Sequence, residues 1–465
     1  MNREYIINCK KDETVLDALR RQNITIKAFC NGHHKCGKCR ILLDETGICE
    51  ASYAEMRLLS EDENADGVRL ACFSQPAGQD IDEIKVTILD ELENDAPILT
   101  ATGEPDTSHT GALNTFAAFD LGTTTIAVKL IRSGEEIYTD SRRNSQCSYG
   151  ADVISRSEAQ IGGAGTGLME CLRDDIDTLI DGFPVTPEFL VFSGNTTIIH
   201  LLMGYPLDNM VNYPFKPYRT GWIKDDYITR DGEEFPLRII PAQSAYIGGD
   251  IVAGLYDCGF ASSEKVSLFV DLGTNGEMAI GNRGRILTAS AAAGPAFEGT
   301  HINVATDVVK CMASLRNSGI IDENGLLKDP YFDSGYPYDT GNSAPVIISQ
   351  RDIRDIQMAK SAIRSGLEIL LSRYGAAPHD IDRLYLAGGM GYSLDIDSAL
   401  SIGLFPESLK HKAVPAGNTS LAGCIKYGLS GCDDKDIDSI LEVSQEIVLS
   451  NDPDFSAKYF EYMLF

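Results

Sequence analysis

The chain is short of positive charge. Its 40 Lys and Arg residues face 68 Asp and Glu, a net charge of −28 over 465 residues. That balance repels phosphate backbones and anionic lipid surfaces, so neither nucleic acid nor a membrane surface is an expected partner. A partner presenting a basic patch fits better. Long apolar runs are missing too. Met1 to Lys10 holds only the pair Ile6 and Ile7 among its charges, and no later stretch is long enough to span a bilayer. A secretory leader is therefore not expected, and the 12 cysteines are expected as thiols of a reducing cytoplasm rather than as disulfides. What composition does supply is a core: 43% of the residues are hydrophobic, in a length that suits two or three domains.

Four of the cysteines carry chemistry. Cys30, Cys36, Cys39 and Cys72 read C-x5-C-x2-C with a distant fourth. Three thiolates in one loop and a fourth returning later are the ligand pattern of a [2Fe–2S] cluster. The loop F-C-N-G-H-H-K-C-G-K-C-R places Gly32 and Gly37 where backbone must curl, which turns amides toward the sulfurs. Zinc is the structural alternative, because one C-x2-C fits it, but the second pair of a zinc ribbon is absent. A Rieske centre would need C-x-H, also absent, so His33 and His34 are expected as exposed loop residues. The other cysteines, such as Cys9, Cys49 and Cys147, are expected to be bystanders. Around the loop, Thr14 to Leu19 opens an amphipathic helix burying Val15, Leu16 and Leu19, while Arg40 to Leu43 and Ile84 to Leu89 read as strands. Cys72 sits in the strand-like R-L-A-C-F. Residues 1–90 resemble an adrenodoxin-like β-grasp ferredoxin, whose cysteine loop has the same first gap.

From Glu91 to Thr115 the sequence loses periodicity, and Pro, Gly, Thr and Asp dominate. This reads as a linker that lets the head swing. Beyond it, within 116–465, the chain repeats itself. F-D-L-G-T-T-T-I-A-V (Phe119 to Val128) and V-D-L-G-T-N-G-E-M-A-I (Val270 to Ile280) each run strand, D-x-G-T turn, strand. Gly lets amides approach a phosphate, Thr adds a hydroxyl, and the carboxylate holds magnesium through water. Either copy alone fits an ordinary turn. Two copies a domain apart point to two α/β lobes clamping a nucleotide. Each is followed by a strand–glycine–helix unit, Glu188 to Leu202 and then Leu384 to Ser393, where Gly388 and Gly389 permit close backbone approach.

This ordered set resembles the acetate and sugar kinases, actin and the seventy-kilodalton heat-shock chaperones, a two-lobed ribonuclease-H-like fold of mixed α+β and α/β character. The resemblance implies a first phosphate motif at Phe119 to Thr125 (Asp120, Gly122, Thr123, Thr124) and a second at Val270 to Glu277 (Asp271, Gly273, Thr274, Asn275). It implies an adenosine motif at Ala387 to Tyr392 (Gly388, Gly389, Gly391). The helix from Gln350 to Arg373, capped by Ser349, would bury Ile353, Ile356, Ile363, Leu367 and Leu370 near the nucleotide, with Lys360 and Arg364 solvated or one of them touching the nucleotide. The small-residue run Thr288 to Ile302 contains the lone carboxylate Glu298, either part of a packing turn or a catalytic group.

With I-P-A-Q-S-A-Y-I-G-G-D-I-V-A-G (Ile240 to Gly254) and Y-P-F-K-P-Y (Tyr213 to Tyr218), that run narrows the resemblance to the reductive activators of corrinoid proteins. In these a ferredoxin head is fused to the ATP-binding fold. The linker here leads almost directly into the first phosphate motif, leaving little room for the middle domain of longer members. The resemblance implies a [2Fe–2S] cluster, ATP and Mg2+, an external low-potential electron donor, possible homodimers, and a separate corrinoid protein of a methyl-transfer or O-demethylation system. No D-x-H-x-x-G corrinoid motif occurs in this chain. Plant-type clusters sit near about −400 mV. Each ~59 mV uphill costs a one-electron step about 1.4 kcal/mol, so reducing cobalt(II) to cobalt(I) calls for ATP. A small-molecule kinase with a redox-sensing head, or a chaperone-like module whose docking ATP controls, are the alternative readings.

Overall fold

The computed structural model describes residues 3–22, 24–28, 30–43, 48–89, 114–273, 275–291, 293, 308–339 and 345–465. Thr274 and Glu298 lie outside the described residues, as does nearly all of the expected linker.

The head is a four-stranded antiparallel sheet in the order β1-β4-β2-β3, built from β1 (Arg3–Cys9), β2 (Arg40–Leu43), β3 (Arg69–Leu70) and β4 (Ile81–Ile88). Helix α1 (Val15–Arg21) starts where the Thr14 hydroxyl accepts the Asp17 amide at 3.1 Å and the Asp17 carboxylate accepts the Thr14 amide at 3.3 Å. Its Val15, Leu16 and Leu19 pack with Ile7, Ile41 and Val86 in the core of the head. Cys72 departs from the strand expected for it. Only Arg69 and Leu70 pair, and Cys72 lies in the turn that follows. A buried ion pair sets that turn: Glu55 takes both Arg69 nitrogens, at 3.0 and 3.1 Å, and the Leu70 amide at 2.8 Å.

Strands β5 (Thr115–Leu121), β6 (Thr125–Arg132), β7 (Glu135–Arg143), β8 (Phe189–Gly194), β9 (Ile223–Ile228) and β10 (Glu234–Ile239) form the first lobe's sheet, ordered β7-β6-β5-β8-β10-β9. Thr115, the last linker residue by sequence, already pairs with Arg132. The second lobe uses β11 (Ser267–Asp271), β12 (Glu277–Asn282) and β13 (Arg285–Ser290). A two-stranded hairpin, β14 (Tyr336–Tyr338) and β15 (Val346–Ile348), precedes β16 (Leu384–Ala387), β17 (Ala413–Gly417) and β18 (Ser444–Glu446). The large sheet runs β17-β16-β11-β12-β13-β18. In each lobe the D-x-G-T hairpin supplies two antiparallel strands, and the strand of the following glycine unit pairs parallel to the first of them. The duplicated sequence is thus a duplicated topology.

Four helices matter for the site: α2 (Gly165–Asp181) and α3 (Thr196–Leu202) cover the outer face of the first sheet, while α4 (Gly249–Asp257) and, later in the chain, Thr419–Leu429 fill the space between the two sheets. The last two pack into one core with Phe116 of β5 and Phe269 of β11. They meet so closely that a Cβ on Gly423 would lie 2.2 Å from the Ala253 carbonyl oxygen. Only glycine fits there. Among the described residues no helix is long and apolar enough to cross a membrane.

Helix α5 (Gln350–Tyr374) starts at Ser349 and ends at left-handed Gly375, and its expected apolar stripe is buried. Lys360 and Arg364 are not solvated. Lys360 is buried, its Nζ bonded to the Leu464 carbonyl, and the Arg364 guanidinium donates to the Gly403 carbonyl at 3.1 Å. Burial, aided by Arg364 and Arg316, pushes the Lys360 ammonium down to about 7. The unfolded chain keeps that proton up to about 10.4. The resulting destabilisation is therefore complete below pH ~7 and fades as pH rises toward 10. The difference in unfolding free energy between wild type and Lys360→Met should move in the wild type's favour from pH ~7 to pH ~10, by at most about 1.4 kcal/mol per pH unit. A difference that does not change with pH would mean that folded Lys360 keeps the ordinary lysine pKa and stays an ammonium.

Candidate functional site

The cysteine loop curls through left-handed backbone at Asn31, Gly32, His34 and Gly37, with φ of 48°, 80°, 58° and 62°. The curl points the Lys35 amide at the Cys30 sulfur, 3.5 Å away. The Ala71 amide donates to the Cys39 carbonyl at 2.8 Å, tying the turn of Cys72 to the loop. The four sulfurs fall into two pairs. Cys39 and Cys72 stand 3.4 Å apart as thiols, and Cys30 and Cys36 share a hydrogen bond. The Cys30 thiol is held low, first by its hydrogen bond with Cys36, and the Cys39 thiol first by its hydrogen bond with Cys72. Among the described residues no three His, Cys, Asp or Glu side chains converge to grip one ion. Two pairs suit two irons with two cysteines each, so the residues present fit a [2Fe–2S] cluster better than one zinc. His33 and His34 are exposed, the latter against the Phe73 ring at 4.1 Å.

The head is not free of the rest. The Arg20 guanidinium donates from Nε to the Ser148 carbonyl at 2.9 Å and from Nη2 to the Asn31 side chain at 2.9 Å, and it lies over the Tyr149 ring at 4.8 Å. The Ile26 amide reaches the Ser148 hydroxyl at 3.3 Å, and the Ala28 amide the Cys147 carbonyl at 3.4 Å. The swinging head expected from the linker is instead bonded to the first lobe.

Each expected phosphate hairpin is present. In the first, Gly122 donates to the Thr125 carbonyl at 2.9 Å, Thr123 accepts from Asn195 at 2.8 Å, and Thr124 is exposed. Asp120, next to last in β5, accepts from Asn418 at 2.9 Å and Ser420 at 2.7 Å, both supplied by the other lobe. In the second, Gly273 lies beside the Asp271 carboxylate, and Asn275 hydrogen-bonds to Glu277. Gly388 closes over the same carboxylate with φ of +77°; a Cβ there would sit 2.4 Å from Asp271 Oδ1. No other residue fits that position. Gly389 is exposed, and Gly391 is buried against the backbone of Leu386.

Two carboxylates escape the sequence reading. Glu277 faces Asp271 across the β11–β12 ladder, like charges in direct register, whereas Asp120 faces Ala127 in the first lobe. Asp250 opens α4 from the interlobe core. Burial first, then Asp250 and Asp271, raises Glu277 well above the usual carboxylate range. Burial first, then Asp120, pushes Asp250 up to about 7. Burial also raises Asp120, against the opposing bonds from Ser420 and Asn418. Asp120, Asp250, Glu277 and Asp271, drawn from both lobes, thus form a chain of repelling neighbours, although among the described residues no three of them converge on a single point.

Comparison with known proteins agrees with this division. Residues 2–77 match the 2Fe-2S iron-sulfur cluster binding domain, residues 116–263 the RACo middle region, and residues 265–307 and 304–465 the C-terminal domain of RACo, the ASKHA domain. The expectation of little room for a middle domain is thereby corrected: the first lobe, phosphate hairpin included, is that region. The chain is 28% identical over 427 residues to the corrinoid activation enzyme RamQ of Eubacterium limosum, covering 75% of this chain and 70% of the relative. It is 28% identical over 254 residues to the Co(II) methylated amine-specific corrinoid protein reductase of Methanosarcina barkeri, 44% of this chain and 46% of that one. A reductive activator for corrinoid, iron-sulfur protein has the same fold, with a TM-score of 0.67 at 22% identity over 98% of this chain and 96% of the other. From head through middle region to ASKHA domain, the chain belongs to the family of reductive activators of corrinoid proteins.

Proposed function

We propose that this protein is an ATP-dependent reductive activator. It accepts an electron from an external low-potential donor and delivers it to a cytoplasmic partner corrinoid protein, whose cobalt(II) becomes cobalt(I). One observation carries the reading: a head with four cysteines paired two and two is bonded directly to the lobe bearing the first phosphate hairpin of an acid-lined cleft.

In this reading Cys30, Cys36, Cys39 and Cys72 hold the cluster, which supplies a one-electron carrier. Gly122, Thr123, Thr124, Gly273, Thr274 and Asn275 cradle phosphates, and Gly388 and Gly389 border the adenosine. Asp120 and Asp271 orient Mg2+ through water, with Asp250 and Glu277 adding negative charge that the cation offsets. Glu298 is kept as a candidate catalytic carboxylate. Because Asp120 is clasped by Asn418 and Ser420, closing the lobes on nucleotide and assembling the cation site are one event. A ligand drives such closure only by binding the closed state more tightly.

The test follows cobalt(I) absorbance with reduced protein, an oxidised corrinoid protein, and either ATP or a non-hydrolysable analogue. Cobalt(I) should accumulate with ATP and stay low with the analogue. Full reduction without nucleotide would leave only a ferredoxin, and a phosphorylated small molecule would point to the kinase.

A further inference from the structure

The loop bearing Cys30 and the turn of the first phosphate hairpin are joined by a continuous chain of hydrogen bonds. At the hairpin, the Asn144 amide donates to the Thr124 carbonyl at 2.9 Å and its side-chain Nδ2 to the Gly122 carbonyl at 2.9 Å. Asn144 is fully buried, and its side-chain oxygen accepts the Gln146 amide at 3.0 Å, capping the 3-10 turn Ser145–Ser148. Asp175 of α2 fixes the start of that turn through the Ser145 amide at 2.7 Å and the Ser145 hydroxyl at 2.9 Å. The end of the turn presents the Ser148 carbonyl to Arg20, and Arg20 in turn holds Asn31, the residue after Cys30. The contact at Ala28 lies two residues before the same cysteine.

We propose that Asn144 and Arg20 are positioning residues of one relay, by which occupancy of the first phosphate hairpin alters the setting of the cluster loop. The inference rests on the preceding reading in that the hairpin holds phosphate and the loop holds the cluster. A bound phosphate recruits the amides of Thr123 and Thr124 and shifts the two carbonyls that Asn144 grips. The capped turn is short and anchored at Asp175, so it answers by reorienting at its Ser148 end. Arg20 then carries the change to Asn31. Hydrogen bonds and charge around the sulfurs set a cluster's potential, so a small movement of this loop is measurable there. Arg20 also stands within electrostatic range of Cys39 and Cys72.

The experiment uses the anaerobic, cluster-loaded full chain and reads the cluster's visible circular dichroism and midpoint potential with and without Mg-ATP. Wild type should show a nucleotide-dependent change in both. Arg20→Lys keeps the positive charge but not the forked donor; it should lose the change while binding ATP as wild type does. Asn144→Ala should also lose it. Arg21→Ala, which removes an ion pair with Glu13 and a hydrogen bond to the Asn8 carbonyl, both away from the cysteine loop, should respond normally. The proposal is overturned if cluster-loaded Arg20→Lys responds like wild type, or if wild type gives no response. Should Asn144→Ala fail to fold, Arg20→Lys decides alone. ATP-dependent cobalt(I) production with an unresponsive wild-type cluster would sink the relay and spare the activator. A responsive cluster with no cobalt(I) would do the reverse.

Discussion

In the Cys72→Ser protein, iron and sulfide should fall from about two each per chain to near zero, and cobalt(I) formation should be abolished with any amount of donor. The Cys72 sulfur is one of a pair 3.4 Å from Cys39, on a turn held by the buried Glu55–Arg69 ion pair. A serine hydroxyl placed there is a poor ligand on a rigid mount. ATP binding should remain within about twofold, because the nucleotide lobes have their own cores, separate from the head's. Cys49→Ser is the matched control, since Cys49 is exposed and outside the loop. Cys9 is a less clean one, being buried in the head's core. Stoichiometric zinc in the wild type, or an intact cluster in Cys72→Ser, would end the assignment.

The second large effect is expected from Asp271→Ala. Hydrolysis should drop about 100-fold, near 3 kcal/mol of barrier, as the cation loses the group that orients it in the transition state. ATP affinity should change far less. The reason is specific to this cleft. Asp271 faces Glu277 and is one of the charges that raise it, so removing Asp271 relieves repulsion even as it removes a contact. Binding then has a compensating gain that turnover lacks. Kinetics and calorimetry on one preparation decide it; equal losses in turnover and affinity would assign Asp271 to ground-state binding.

The sequence carried the head through one spacing and the lobes through one repeat, because both are local. The C-x5-C-x2-C loop and the D-x-G-T hairpins contain their own geometry. Asp250 and Glu277 carry no such spacing. Each is a single acid at the mouth of an apolar element, and only the folded chain shows that Asp250 lies near Asp120. Glu277 could have been reached by folding the second hairpin on paper, since the turn sets it opposite Asp271. Lys360 could also have been found. It stands four residues after Ile356 and three before Ile363, on the apolar stripe itself, and charge was read as exposure where periodicity gave burial. Arg20 offered no signal, because its partners Ser148 and Tyr149 lie in another module.

Asp120 is translated early, but the two groups that clasp it, Asn418 and Ser420, arrive 298 and 300 residues later. The first lobe can form its sheet on the ribosome, yet Asp120 must wait in an unfinished setting until nearly the whole chain has emerged. Such distant pairings are slow to form, which puts the last step of folding at the junction of the lobes. A partly made chain therefore carries a head able to take up a cluster before it owns a working nucleotide site. Under the proposed function, redox competence would precede energy coupling during synthesis, and the cell would meet a reducible but undriven electron carrier for as long as the final helices are delayed.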